Sequence, residues 1–276
     1  MAVKQRNSRK PLGIGRHAAK GDSSVSETAE HKSSLKVDWR RIITRIIMMI
    51  SIMLAVYFTQ SGKVVPFATQ KEEISKRSVD IVCSEDYADE LKHFPGCTPV
   101  KCGRVIFDTI ITLSEVEALL NIAHRGLSLG GSSGGASILD LHSGALSHGS
   151  DFINIYKLEE AKNIFTSEDF KIYSHVKNKI HDAIADHFGI NKGKLYLTHP
   201  TFFSRIISAP PQTVHDEYWH PHVDKETYKS FHYTSLLYLT DYGHSFDGGR
   251  FIFIDKDSNK TVEPRTGKLP EITLRF

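Results

Sequence analysis

Tyr218-Trp219-His220-Pro221-His222-Val223-Asp224 is the stretch, at residues 218–224, on which the reading of this chain turns. On a β-strand, side chains two residues apart point to the same face. His222 and Asp224 have that spacing and would present one imidazole and one carboxylate side by side. Two histidines and one carboxylate form a facial set that holds Fe(II) and leaves further positions open on the metal. The pair supplies two of those three groups. His220 has the same spacing and could stand in for His222, although its plainer reading is a surface histidine near the metal. A lone His-x-Asp is a common pattern, and its ordinary reading is two polar side chains hydrogen-bonded at a strand end. Tyr218 could shape a pocket, but aromatic packing is its first reading.

The segments around this stretch read as strands. Phe231–Leu239 and Arg250–Ile254 carry aromatic and β-branched residues, Lys260–Glu263 does so more weakly, and Leu195–Leu197 and Phe202–Ser208 precede them. Earlier in the chain the period is helical. Phe170, Tyr173, Ile180, Ile184 and Phe188 recur over 168–188, and Gly189 closes that helix. Ser114-Glu115-Val116-Glu117 reads as a capping box that opens a helix running to about Gly126. Residues 126–150 are loaded with Gly and Ser and predict a flexible loop, with a substrate-facing lid as the alternative. No Lys-Ser or Lys-Thr follows, so this is no phosphate loop. Helices followed by several short strands predict an α+β domain, with a helical layer packed on a β-sandwich or jelly roll.

The N-terminal arm has a different character. Of 35 Lys and Arg in the chain, eleven lie in the first 45 residues against four acids, so the +7 of the arm offsets −4 for the remainder. Nucleic-acid binding needs a basic stripe on the folded part; none is found, and nucleic acid is excluded as a partner. Residues 1–41 are too poor in large apolar groups to offset the entropy of ordering, and are expected to be a disordered cytosolic arm. An apolar run of 14 residues, Ile46–Thr59, follows; counted from Ile42 it is 18. A buried core helix and a cleaved signal peptide both fit it poorly. A signal anchor at 42–60 fits best, with Arg45 snorkelling to the headgroups. The excess of basic residues before the run predicts a single-pass, type II membrane protein whose C-terminal part faces the lumen of the endoplasmic reticulum or Golgi. Asn259-Lys260-Thr261 is a glycosylation sequon, which agrees with lumenal exposure. Cys83, Cys97 and Cys102 all lie beyond the run and invite one disulfide, with the pairing left open.

The spacing of four segments carries a resemblance. His222-Val223-Asp224, Leu236-Leu237-Tyr238-Leu239-Thr240-Asp241, Gly248-Gly249-Arg250-Phe251 and Pro264-Arg265-Thr266-Gly267 together resemble the prolyl 4-hydroxylase-like branch of the iron(II)- and 2-oxoglutarate-dependent dioxygenases. The likeness is strongest over 218–267 and extends over about 105–267. It implies a double-stranded β-helix, Fe(II) held by His222 and Asp224, 2-oxoglutarate as cosubstrate, O2 and ascorbate. The implied reaction is hydroxylation coupled to decarboxylation of 2-oxoglutarate, on a protein or small-molecule substrate that the sequence does not name.

The chain also departs from that pattern. The family places a distal metal-binding histidine, then a Lys or Arg for 2-oxoglutarate, after the Pro-x-x-Gly turn. Here Lys268 to Phe276 contains no histidine, and the two histidines after Asp224, His232 and His244, both precede the Gly-Gly. Arg275 is a poor candidate for the cosubstrate anchor, and Pro270 is a poor occupant of a central strand. The expectation is therefore an anchor at 42–60, a stalk and cysteine-bearing loop at 61–104, and a dioxygenase-like domain at 105–276 lacking its C-terminal strands and impaired in activity. The alternatives are a catalytically inactive, membrane-anchored binding module and a zinc-dependent lectin-like jelly roll, which would need a third ligand nearby.

Overall fold

The computed structural model describes residues 38–60, 64–85, 87–99, 101–198, 201–212, 220–227 and 231–273. The chain divides into two compact units, residues 1–60 and 61–276. In the first, the described residues form one helix, α1 (Trp39–Gln60), whose side chains through Tyr57 are exposed. No helix among the described residues is long and apolar enough to cross a membrane. Arg40, Arg41 and Arg45 occupy the first turns of α1. They leave the 14-residue run Ile46–Thr59, roughly 21 Å of helix against a hydrocarbon core of about 30 Å.

The second unit is mixed α+β and compatible with a jelly roll. Residues expected as a stalk and loop supply β1 (Val64–Ala68), β2 (Arg77–Ile81), the short helix α2 (Tyr87–His93) and β3 (Cys102–Phe107). A disulfide joins Cys83 to Cys102 and closes the loop that carries α2, while Cys97 remains a thiol. Then follow α3 (Leu113–Leu127), β4 (Gly131–Ser132), β5 (Ala136–Leu139), β6 (Ala145–Gly149), β7 (Asp151–Asn154), α4 (Ser167–Phe188) and β8 (Phe203–Ile206). The last elements are α5 (Asp224–Thr227), β9 (Tyr233–Ser235), β10 (Phe251–Phe253), β11 (Asn259–Val262) and β12 (Leu269–Thr273). The strands form three sheets, ordered β1-β11-β10, β2-β3-β12-β9 and β4-β6-β5-β8, with β7 paired to β6.

All six residues of β3 are buried, and its two faces serve different neighbours. Val105 and Phe107 pack with Ile184 and Phe188 of α4, while Ile106 packs with Ala68, Phe253 and Val262 of the three-stranded sheet. Arg104 shares the face of Ile106. Its guanidinium pairs with both oxygens of Asp255 at 2.8 and 2.7 Å and lies 4.0 Å from the Phe253 ring centre. A third cluster packs α3 through Val116, Leu119 and Ile122 against Leu139 of β5 and Leu146 of β6.

Four local expectations need correction. The Gly- and Ser-rich segment 126–150 is not a flexible loop but contains β4, β5 and β6. Leu139 and Leu146 anchor it in the core, and the Ser137 and Ser147 hydroxyls accept from the backbone N–H of Ser132 and Ile138 at 3.0 and 2.9 Å. Leu195–Leu197 forms no strand. The cap of α3 is Thr112 rather than Ser114, with Glu115 completing the capping box. Pro270 does lie in a central strand, since β12 runs antiparallel between β3 and β9. The Pro270 carbonyl still accepts from Leu236 N at 3.0 Å, so the strand forgoes only the proline's own donor. Gly267, at φ +81°, makes the turn into β12 and is followed by Lys268, fully buried, which donates to the Thr69 carbonyl at 2.7 Å.

Glu115 ties the two long helices of this unit together. Its carboxylate caps Thr112 N at 2.7 Å and accepts from Lys179 of α4 at 2.8 Å. Burial alone would raise its pKa, but the Lys179 and Thr112 hydrogen bonds outweigh that and hold it at about 2. Its stabilisation is therefore complete above the usual carboxylate value of 4.5 and disappears as the pH falls towards 2. Glu115→Gln should cost roughly 1.5–3 kcal/mol at neutral pH, the worth of hydrogen bonds to a charged group. It should also flatten the fall in stability between those pH values. Denaturant titration of both proteins across the acid range checks this, and an unchanged acid limb would assign the junction's stability elsewhere.

Candidate metal centre

The structure brings His222 and Asp224 together, but not on a strand. Residues 220–223 form an irregular segment, and Asp224 opens the single turn α5. Pro221 fits this segment, because a proline lacks the N–H that a ladder position would use. His222 Nε2 lies 3.4 Å from Asp224 Oδ1, and both side chains are about one-third exposed, at 35% and 30%. That separation is less than the sum of two bonds of about 2.0–2.2 Å, the usual length to imidazole nitrogen and carboxylate oxygen. One ion can therefore touch both atoms.

The remaining heteroatom of each side chain is occupied. His222 Nδ1 lies 2.8 Å from the His220 carbonyl, which can only accept, so Nδ1 carries the proton. In the neutral imidazole this leaves the Nε2 lone pair directed towards Asp224. Asp224 Oδ2 accepts from the Thr234 hydroxyl at 2.7 Å, leaving Oδ1 towards His222. Fixing the tautomer of a ligating histidine and the rotamer of a ligating carboxylate in this way is what outer partners of metal ligands do. The donor set, one neutral nitrogen and one anionic oxygen, fits a divalent transition metal.

Register explains where the pair sits. Ile272 of β12 is opposite Arg104 of β3 on one side and Thr234 of β9 on the other. Residues in one row of a sheet share a face. Thr234 thus projects on the face that Arg104 and Ile106 turn towards the three-stranded sheet, whereas Tyr233 turns the other way, its ring 5.2 Å from Phe188. Asp224 is drawn to the inner face.

Among the described residues, none of the histidines expected as a third ligand is seen to join the pair. Among the described residues no group of three His, Cys, Asp or Glu side chains could hold a metal. His220 serves through its carbonyl. His232 stands beside Glu90, 3.8 Å from its carboxylate, and beside the Phe94 ring; burial, reinforced by Lys225, pushes its pKa down and keeps it neutral. His244 is exposed in a turn at 241–246. Tyr218 and Arg275 lie outside the described residues. Asn259 is half-buried at the start of β11, opposite Val64. A cavity of about 530 Å³ lined by Glu73, Asp108, Arg265 and Thr266 includes none of the metal-centre residues. Sequence reasoning missed Thr234, whose part depends on strand register, and no local motif marks it.

No family model matches the chain, and no solved structure does. Curated relatives from Xenopus tropicalis, Mus musculus and Homo sapiens are 54%, 55% and 54% identical to it over 208 residues, which is 75% of this chain. Each is named 2-oxoglutarate and iron-dependent oxygenase domain-containing protein 3. The chain covers 65%, 66% and 65% of the length of these relatives, just under two thirds. Over these 208 residues the chain is thus similar to proteins named as 2-oxoglutarate and iron-dependent oxygenase domain-containing.

Proposed function

We propose that the second unit is an Fe(II)- and 2-oxoglutarate-dependent oxygenase domain whose metal is held by His222 and Asp224, and that the 276-residue chain is impaired in turnover. The observation that carries the first part is the opposed pair Nε2 and Oδ1, 3.4 Å apart, each side chain locked from behind. Iron bound there would supply the oxidative chemistry, with 2-oxoglutarate and O2 as cosubstrates and ascorbate as the reductant that keeps the metal ferrous. The protein's part is to deliver one neutral and one anionic ligand in a fixed tautomer and rotamer, at a partly exposed place open to small ligands. The second part rests on residues 268–276, which follow the Pro-x-x-Gly turn without the histidine that the resembled family places there. A binding module that retains the domain without its catalysis is the second reading.

A place in the membrane belongs to the same proposal. The described side chains of α1 are apolar around most of its circumference after Arg45, with the successive residues Ile46, Ile47, Met48 and Met49 all exposed. A helix apolar on all sides asks for an apolar environment. Tilt-free spanning needs more length than the run offers, so Arg45 would snorkel and the bilayer thin around it. The basic residues before α1 favour a cytosolic N-terminus and a lumenal second unit, in which the Cys83–Cys102 disulfide would persist.

Two experiments test this. The 276-residue chain, given excess Fe(II), 2-oxoglutarate and ascorbate, should form little or no succinate. A version with a histidine and a following Lys or Arg placed beyond the Pro-x-x-Gly turn should form it, and His222→Ala or Asp224→Ala should abolish that gain. Robust succinate from the unaltered chain would show the site to be elsewhere. In sealed microsomes, added protease should remove residues 1–40 and spare 80–276, and any glycan should be lost in Asn259→Gln. Digestion of the second unit from outside would overturn the topology.

A further inference from the structure

A lysine 6% exposed, one residue from a candidate metal ligand, calls for a reason. Lys225 follows Asp224 directly on α5, and its ammonium pairs with the carboxylate of Glu90 on α2. Glu90 is itself largely buried, and its second oxygen lies 3.8 Å from His232. Neighbouring residues on a helical turn point about 100° apart, so Lys225 and Asp224 cannot face the same way. One is held by Glu90, the other by Thr234.

Helix α2 buries none of its own residues and is not fastened through an apolar face. Its loop is instead fixed from several sides. The Cys83–Cys102 disulfide closes it at β3, the Tyr233 hydroxyl donates to the Cys97 carbonyl at 2.9 Å, and Lys194 donates to the Pro95 carbonyl at 2.7 Å. Tyr233 and Thr234 are adjacent on β9, so the same strand positions the loop with one residue and Asp224 with the next.

We propose that the Glu90–Lys225 ion pair is a positioning clamp for the metal pair: it fixes the α5 turn so that Asp224 stays opposite His222. This rests on the metal reading above. Breaking a buried pair leaves the surviving charge uncompensated, and the turn would shift to expose it. Glu90 and Lys225 are positioning residues: they act through the α5 turn and not as ligands.

Mn(II), an oxygen-stable stand-in for Fe(II), tests the clamp through its affinity for the full chain, followed by the paramagnetic resonance of free ion below the unfolding transition. Lys225→Met and Glu90→Gln should each weaken Mn(II) binding roughly 10-fold or more, the scale of losing an outer partner. The exchanged pair, Glu90→Lys with Lys225→Glu, should recover much of it. Lys171→Met, which breaks an exposed ion pair with Glu168, should leave it unchanged. If unaltered protein binds Mn(II), and Asp224→Ala weakens that binding, but both clamp variants bind as the unaltered chain does, the clamp is wrong and the metal reading stands. If the unaltered chain binds no Mn(II), or Asp224→Ala does not matter, the metal reading fails and the clamp falls with it.

Discussion

Burial of β3 on both faces is the constraint from which the rest of the second unit follows. A strand covered on one side can slip and still satisfy its core; a strand covered on both cannot, because a shift of one residue exchanges the two sets of side chains. Val105 and Ile106 are each fully buried, in opposite directions. Each contributes roughly 1.5–3 kcal/mol by leaving water. Arg104 adds a polar lock, since its bidentate pair with Asp255 is good only in one register. Removing either partner would strand a buried charge, at a cost of about 3–5 kcal/mol. The register of β2 and β12 on either side is thereby set.

That register reaches the candidate centre through two strands. β12 is fixed by β3, β9 is fixed by β12, and Thr234 of β9 meets the Asp224 carboxylate. The two ligands themselves lie on irregular chain, which tolerates a proline and lets the backbone carbonyl of His220 turn back to its neighbour's imidazole. A metal pair on a loop needs rigid support around it, and here the support comes from a strand on one side and the disulfide-closed α2 loop on the other. The site is an irregular segment held between two fixed elements.

Much of this was legible in the sequence, and the limits are physical. The helix at 167–188 shows its apolar period and its closing glycine, and the strands near 203, 251 and 260 show alternation and bounding turns. The segment 126–150 misled because its Gly and Ser residues hide four core leucines, Leu127, Leu139, Leu141 and Leu146, and because serine hydroxyls bonded to backbone supply what apolar alternation usually does. Pro270 misled because the rule against central prolines concerns a donor that a neighbour must need. His222 and Asp224 lie side by side, as their spacing suggests, though the strand invoked to bring them together is absent: a tight loop can converge two side chains as well as a pleat can. Thr234 and Glu90 were not readable, since each joins the site only through contacts set by strand pairing or by the loop closed through Cys83 and Cys102.

The central claim is that a divalent metal finds its place between His222 and Asp224. Histidine-ring resonances report on this directly, because Mn(II) broadens nearby nuclei steeply with distance. In the full chain with its histidines isotopically labelled, substoichiometric Mn(II) should broaden His222 first and His220 next. The same addition to Asp224→Ala should leave His222 sharp. Broadening that begins at His232, His244 or the histidines of α4, or that affects all rings alike, would contradict the account.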